Sequence, residues 1–69
     1  MELIKTPSFN AMEKLSDVLA KNNKTYSFEH IYQKVGRYLV NSGSKKFVEL
    51  YNDVAKNKNY NKAISTLNL

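Results

Sequence analysis

The stretch Ser27–Val40, SFEHIYQKVGRYLV, sets Phe28, Ile31, Tyr32, Val35, Tyr38 and Leu39 at intervals of three and four residues, a pattern that an α-helix turns into one apolar face. Ser27 stands where an N-cap is wanted, and Tyr26 and Ile31 flank it as a hydrophobic staple. Glu29 puts negative charge in the first turn, where the helix dipole favours it. The spacing predicts a helix over 27–40. Gly36 interrupts it, at a cost of about 1 kcal/mol in helix propensity, so the position reads as one where a neighbour comes close.

The same period recurs on both sides. Pro7 and Ser8 supply a stop and a cap, and Phe9, Met12, Leu15, Val18 and Leu19 then give one apolar face to a helix over about 8–21. Phe47, Val48, Leu50, Tyr51, Val54 and Ala55 define a third helix over 45–56, and Tyr60, Ala63, Ile64 and Leu67 a short fourth over 60–67. Polar breaks at Asn22–Lys24, Asn41–Ser44 and Asn57–Asn59 separate them. Gly43 suits a left-handed C-terminal position, and Ser44 suits an N-cap. Leu3 and Ile4 either add an edge strand or fold back on the core. Short links between amphipathic helices imply an all-α, compact three- or four-helix single domain over residues 1–69.

A chain of 69 residues has little room for both a scaffold and a deep catalytic pocket. It contains no cysteine, which removes disulfides, thiol catalysis and thiolate metal sites. No segment has the apolar run of a signal peptide or a membrane span, so the expected location is cytoplasmic, or nuclear if the source is eukaryotic. His30 is the single histidine, and the pairs Glu13 and Asp17, Glu49 and Asp53 each share a helix face flanked by lysines. None of these assembles a triad or a metal site. The expectation is a binding protein without catalysis, cofactor, metal or small-molecule substrate.

Eleven Lys and Arg against six Asp and Glu leave a formal charge of +5, with seven basic and two acidic residues between Lys34 and Lys62. Either an AT-rich coding composition or attraction to an acidic partner accounts for the excess. His30, Lys34 and Arg37 fall on one polar face of the second helix, where they can follow a phosphate backbone. Ser44, Lys45 and Lys46 stand at the start of the third, where cations oppose the macrodipole unless an anion is present. Helices two and three resemble a helix-turn-helix in outline. The glycine expected in the turn is displaced to Gly43, however, and Lys46 falls where a buried aliphatic is wanted. The five tyrosines either stack bases or sit at the rim of the core; Tyr32, Tyr38 and Tyr51 lie on apolar faces and favour the rim.

Thr25-Tyr26, Ser27-Phe28, Ile31 and the cluster Val35-Gly36-Arg37-Tyr38-Leu39, with Met12, Leu15 and Leu19 at matching apolar spacing, resemble the central segment of the SWIB domain family. The likeness is to its tumour-suppressor-binding branch in the double-minute ubiquitin ligases, and it covers residues 12–40. The later part departs from that family, whose β-hairpin and further helical pair have no counterpart in the remaining residues. The resemblance implies a groove that accepts one face of a partner helix, with Ile31, Val35 and Gly36 in one wall.

Two functional readings follow. In the first, Phe28, Ile31, Tyr32, Val35 and Gly36 meet a protein partner, either an amphipathic helix in a groove or a second copy of the chain. The alternative is a small basic nucleic-acid-binding protein, of the kind that phages and mobile elements encode, contacting phosphates through His30, Lys34, Arg37, Ser44, Lys45 and Lys46.

Overall fold

Four α-helices follow one another along the chain, α1 (Phe9–Asn22), α2 (Phe28–Ser42), α3 (Ser44–Asn57) and α4 (Tyr60–Thr66), and the computed structural model describes all of residues 1–69. There is no strand. The first two helices start where their serines predict. Ser8 Oγ accepts from the Ala11 amide at 3.1 Å, and Ser27 Oγ from the His30 amide at 3.2 Å. Each satisfies one of the donors that a helix start leaves unpaired.

The link between α2 and α3 is tighter than the Asn41–Ser44 break predicts. α2 runs on through Asn41 and Ser42, and α3 begins at Ser44, which leaves Gly43 as the sole linking residue. Its amide donates to Leu39 O at 3.0 Å and its carbonyl accepts from Phe47 N at 3.2 Å, so one residue closes one helix and opens the next. Gly43 reaches this with φ 89° and ψ 166°, outside the left-handed helical region that the sequence suggested and in a zone open almost only to glycine. Ser44 is therefore already helical, and no side chain caps α3.

Around that corner the apolar faces meet. The core comprises Ala11, Met12, Leu15 and Leu19 of α1, Ile31 and Val35 of α2, Phe47, Leu50, Tyr51 and Val54 of α3, and Ala63 and Leu67 at the α4 end. Leu15, Leu19, Ile31, Val35 and Phe47 are wholly buried. Burial of an aliphatic of this size contributes about 1.5–3 kcal/mol, which matters in so small a domain. Buried Ser16 returns its hydroxyl to Met12 O at 2.7 Å, so it leaves no orphan donor in the core. α1 packs chiefly on α2, α2 also on α3, and α4 on α1 and α3. No Cα pair between α2 and α4 comes within 8 Å, and a cleft remains between them.

Of the two readings of Leu3 and Ile4, the chain takes the fold-back. Asn52 on α3 accepts from Ile4 N at 2.8 Å and donates to Ile4 O at 2.9 Å, which gives that peptide the pairing a strand would have given it. Ile4 packs against the core while Leu3 stays exposed. Tyr51 differs from the core-rim expectation: it is fully buried, against Phe47 at a ring-centroid distance of 6.4 Å. Burial, and secondly the Glu2 carboxylate on the returning N-terminal segment, raise its hydroxyl pKa above 10.0. No helix is long and apolar enough to cross a membrane.

Two outcomes follow from this packing. Gly43→Ala adds a Cβ that meets nothing within 4 Å but forces an L side chain to φ 89°; urea denaturation should show a loss of about 1–3 kcal/mol. Because the folded pKa of Tyr51 lies above its unfolded value, its contribution is complete below pH 10 and is lost as pH rises through the folded pKa. Stability measured from pH 9 to 11.5 should therefore fall in the wild type and fall less steeply in Tyr51→Phe.

Candidate functional site

α1 and α2 pack against each other along their apolar faces, but a helix is round and the chain provides no third element to cover one side of the pair. An open groove of about 980 Å³ results, lined by Phe9, Met12, Tyr32, Gln33, Gly36, Arg37, Leu39, Val40 and Asn41. A smaller hollow of about 210 Å³ adjoins it, running past Leu39 to Pro7 and Ser8. Phe9 is 79% exposed and Val40 82% exposed, the two most exposed large apolar residues in the molecule. Arg37 is the one charged residue in the lining.

Gly36 helps to shape this groove. A Cβ built there would stand 3.5 Å from Met12 Cε, an ordinary van der Waals separation. The close neighbour is therefore α1, and Met12 reaches under the glycine without crowding it. Absence of a side chain at 36 leaves the Met12 methyl at the floor and the Tyr32 ring on one side.

The structure divides the residues expected to meet a partner. Tyr32 and Gly36 line the groove. Ile31 and Val35 do not; both are wholly buried, because the stripe that contains them is the one α2 turns toward α1 and α3. A residue with no accessible surface cannot touch a partner, so their part is to hold α2 in place. Phe28 is 40% exposed and stacks on Tyr32, with centroids 5.7 Å apart, but it lies outside the groove, in a separate hollow with Asn10, Glu13, Lys14 and Asp17. Phe9, Met12, Leu39 and Val40 are additional lining residues. Val40 carried a signal in the sequence, an aliphatic one step beyond the Phe28–Leu39 stripe. Phe9 carried none, since its phase matches the core face of α1 and only its place at the exposed helix end uncovers it.

The basic residues fall in several places. His30 is exposed and stacks on Tyr26 at 5.8 Å. Lys34 and Arg37 line the α2–α4 cleft, of about 210 Å³, with Tyr38, Asn41, Ser42, Thr66, Leu67 and Asn68. Lys46 lines an adjoining hollow with Tyr38, Glu49, Leu50, Asp53, Lys62 and Thr66. Ser44 and Lys45 are exposed at the uncapped start of α3 and line neither. Asp53 is not a freely solvated acid: it accepts from Asn57 Nδ2 at 2.7 Å and stands 3.7 Å from Lys62 Nζ, which ties α4 to α3.

The space over Gly36 makes a stability test direct. Gly36→Ala should raise stability by about 1 kcal/mol through helix propensity, since the added methyl meets only the flexible end of Met12. Thermal denaturation should show a Tm higher by about 4–8 °C.

Comparison of the chain with protein-family models, with curated proteins and with solved structures finds no match to any of them.

Proposed function

We propose that the protein is a small non-enzymatic interaction module whose α1–α2 groove receives the apolar face of an amphipathic helix from a partner protein. The observation that carries this reading is the exposure of Phe9 and Val40 at the margins of one continuous groove floored by Met12 and Leu39. Large apolar side chains left in water next to an apolar concavity mark an interaction surface more often than they mark a free one. The α2 residues that line the groove run from Tyr32 to Asn41, about 14 Å of helix, so it is long enough for roughly two and a half turns of a partner.

Two further points bear on the occupant. A second copy of the chain would bring +5 against +5, which opposes self-association at low salt and supports a heterologous partner. Resemblance of residues 12–40 to the SWIB family points to the same class of ligand. The wall here, however, is made by Tyr32, Gly36 and Val40 rather than by buried Ile31 and Val35. The absence of cysteine agrees with a cytoplasmic setting, which we include in the proposal.

The test uses helical peptides selected from a displayed random library on the wild-type protein. They should carry apolar anchors at i, i+3 or i+4 and i+7, and their affinity should fall at least tenfold on Gly36→Leu, which fills the groove, while the helical circular dichroism is retained. Peptides that bind the leucine variant undiminished would sink the groove. Light scattering on the free protein should give the mass of a single chain; a dimer that Gly36→Leu dissociates would replace the partner helix by a second copy.

A further inference from the structure

On the side of α2 away from the groove, the chain leaves cations without counter-ions. The molecule has two ion pairs, Lys21 with Asp17 and Lys62 with Asp53, so Lys34, Arg37, Lys45 and Lys46 have no carboxylate within 4.0 Å. Lys34 is half-buried and lines the α2–α4 cleft. Arg37 follows one turn later on the same wall, about 4.5 Å further along the helix axis. Across the gap, Thr66 and Asn68 present a hydroxyl and a side-chain amide, both exposed. Half-buried Tyr38 joins this cleft to the hollow that holds Lys46. Of the two acids bordering that hollow, Asp53 is engaged by Lys62, which leaves Glu49 against Lys34, Arg37 and Lys46.

Lys34 and Arg37 line a cleft with neutral donors and no acid, and Lys46 stands beyond Tyr38 in a hollow that also holds Glu49 and Asp53; the three cations together match an anion of extended form. We propose that the α2–α4 cleft and its Lys46 margin bind the phosphate backbone of a nucleic acid, independently of base sequence. Arg37 and Lys34 engage successive phosphates from one wall, Thr66 and Asn68 donate from the other, and Lys46 takes a further phosphate beyond Tyr38. His30, Ser44 and Lys45 lie outside this surface. The surface shares only Arg37 and Asn41 with the α1–α2 groove, so it stands or falls without the partner-helix reading.

The test is fluorescence anisotropy with a labelled 20-base-pair duplex of arbitrary sequence. Three phosphate contacts predict a slope of about −2.7 in log affinity against log salt, or about 40-fold weaker binding at 200 mM than at 50 mM salt. The double variant Lys34→Gln, Lys46→Gln keeps a polar side chain at each position and removes two charges. Its affinity at 50 mM salt should fall at least tenfold and its salt effect to about 4-fold, while Gly36→Leu leaves both unchanged. No binding of the wild type at 50 mM salt would overturn the proposal. So would a variant that retains the 40-fold salt effect, or poly-glutamate that competes as well as the duplex at equal charge, since the latter would make the surface a site for acidic protein.

Discussion

Everything in this molecule turns on the corner at Gly43. A single residue cannot relax between two helices of 15 and 14 residues; it either adopts the one geometry that lets both continue or separates them. At φ 89° the chain leaves α2 and enters α3 with both flanking backbone bonds made, and the two apolar stripes face each other. Ile31 and Val35 on one side and Phe47, Leu50 and Val54 on the other are then buried. α1 covers what remains of that surface, and α4, only seven residues long, closes the end through Ala63 and Leu67. The cost of the tight link appears at α3, whose start has no side-chain cap and carries Lys45 and Lys46 against the helix dipole.

That packing leaves α2 central but not enclosed. One stripe is buried, one flank borders α1 without being covered, and the other faces α4 across a gap. The open flanks differ chemically because the residues beside the stripe differ: Tyr32, Gly36 and Val40 on one, Lys34 and Tyr38 on the other, with Arg37 between. A longer α4 would fill the gap, and a bulkier residue at 36 would fill the groove. Both concavities thus originate in what the chain omits, a residue-level economy in a domain that has little surface to bury.

What could be read from the sequence was whatever is decided within a few residues. Ser8 and Ser27 cap as expected because an N-cap bond spans three positions, and the periodicity of α2 identified its buried stripe. Gly43 was legible as a punctuation mark but not as a one-residue corner, since the sign and size of φ and ψ depend on how closely the two helices approach. The same limit explains Ser44, which has the chemistry of a cap but sits one step too late. Burial was the harder quantity. Ile31 and Val35 each precede a groove-lining residue, Tyr32 and Gly36, by one position, and the placement of α1 and α3 decides which of each pair is covered. Phe9 has the phase of a core residue and lies beyond the edge of the core. Asn52 gives no sign in sequence that it pairs with a backbone 48 residues away.

Gly36 joins these levels. In an isolated helix it is a defect of about 1 kcal/mol. In the fold it stands over the end of Met12 at a separation that an alanine could also tolerate, so close packing of α1 against α2 does not require it. The space above it is what glycine leaves free: any side chain longer than a methyl would occupy the groove between Tyr32 and Val40. Met12 beneath is unbranched and has several rotatable bonds, the kind of floor that reshapes around an incoming side chain at small cost. A rigid aliphatic at 12 with a bulky residue at 36 would give a firmer domain with a closed surface. Glycine above methionine therefore gives up helix propensity and leaves the groove open.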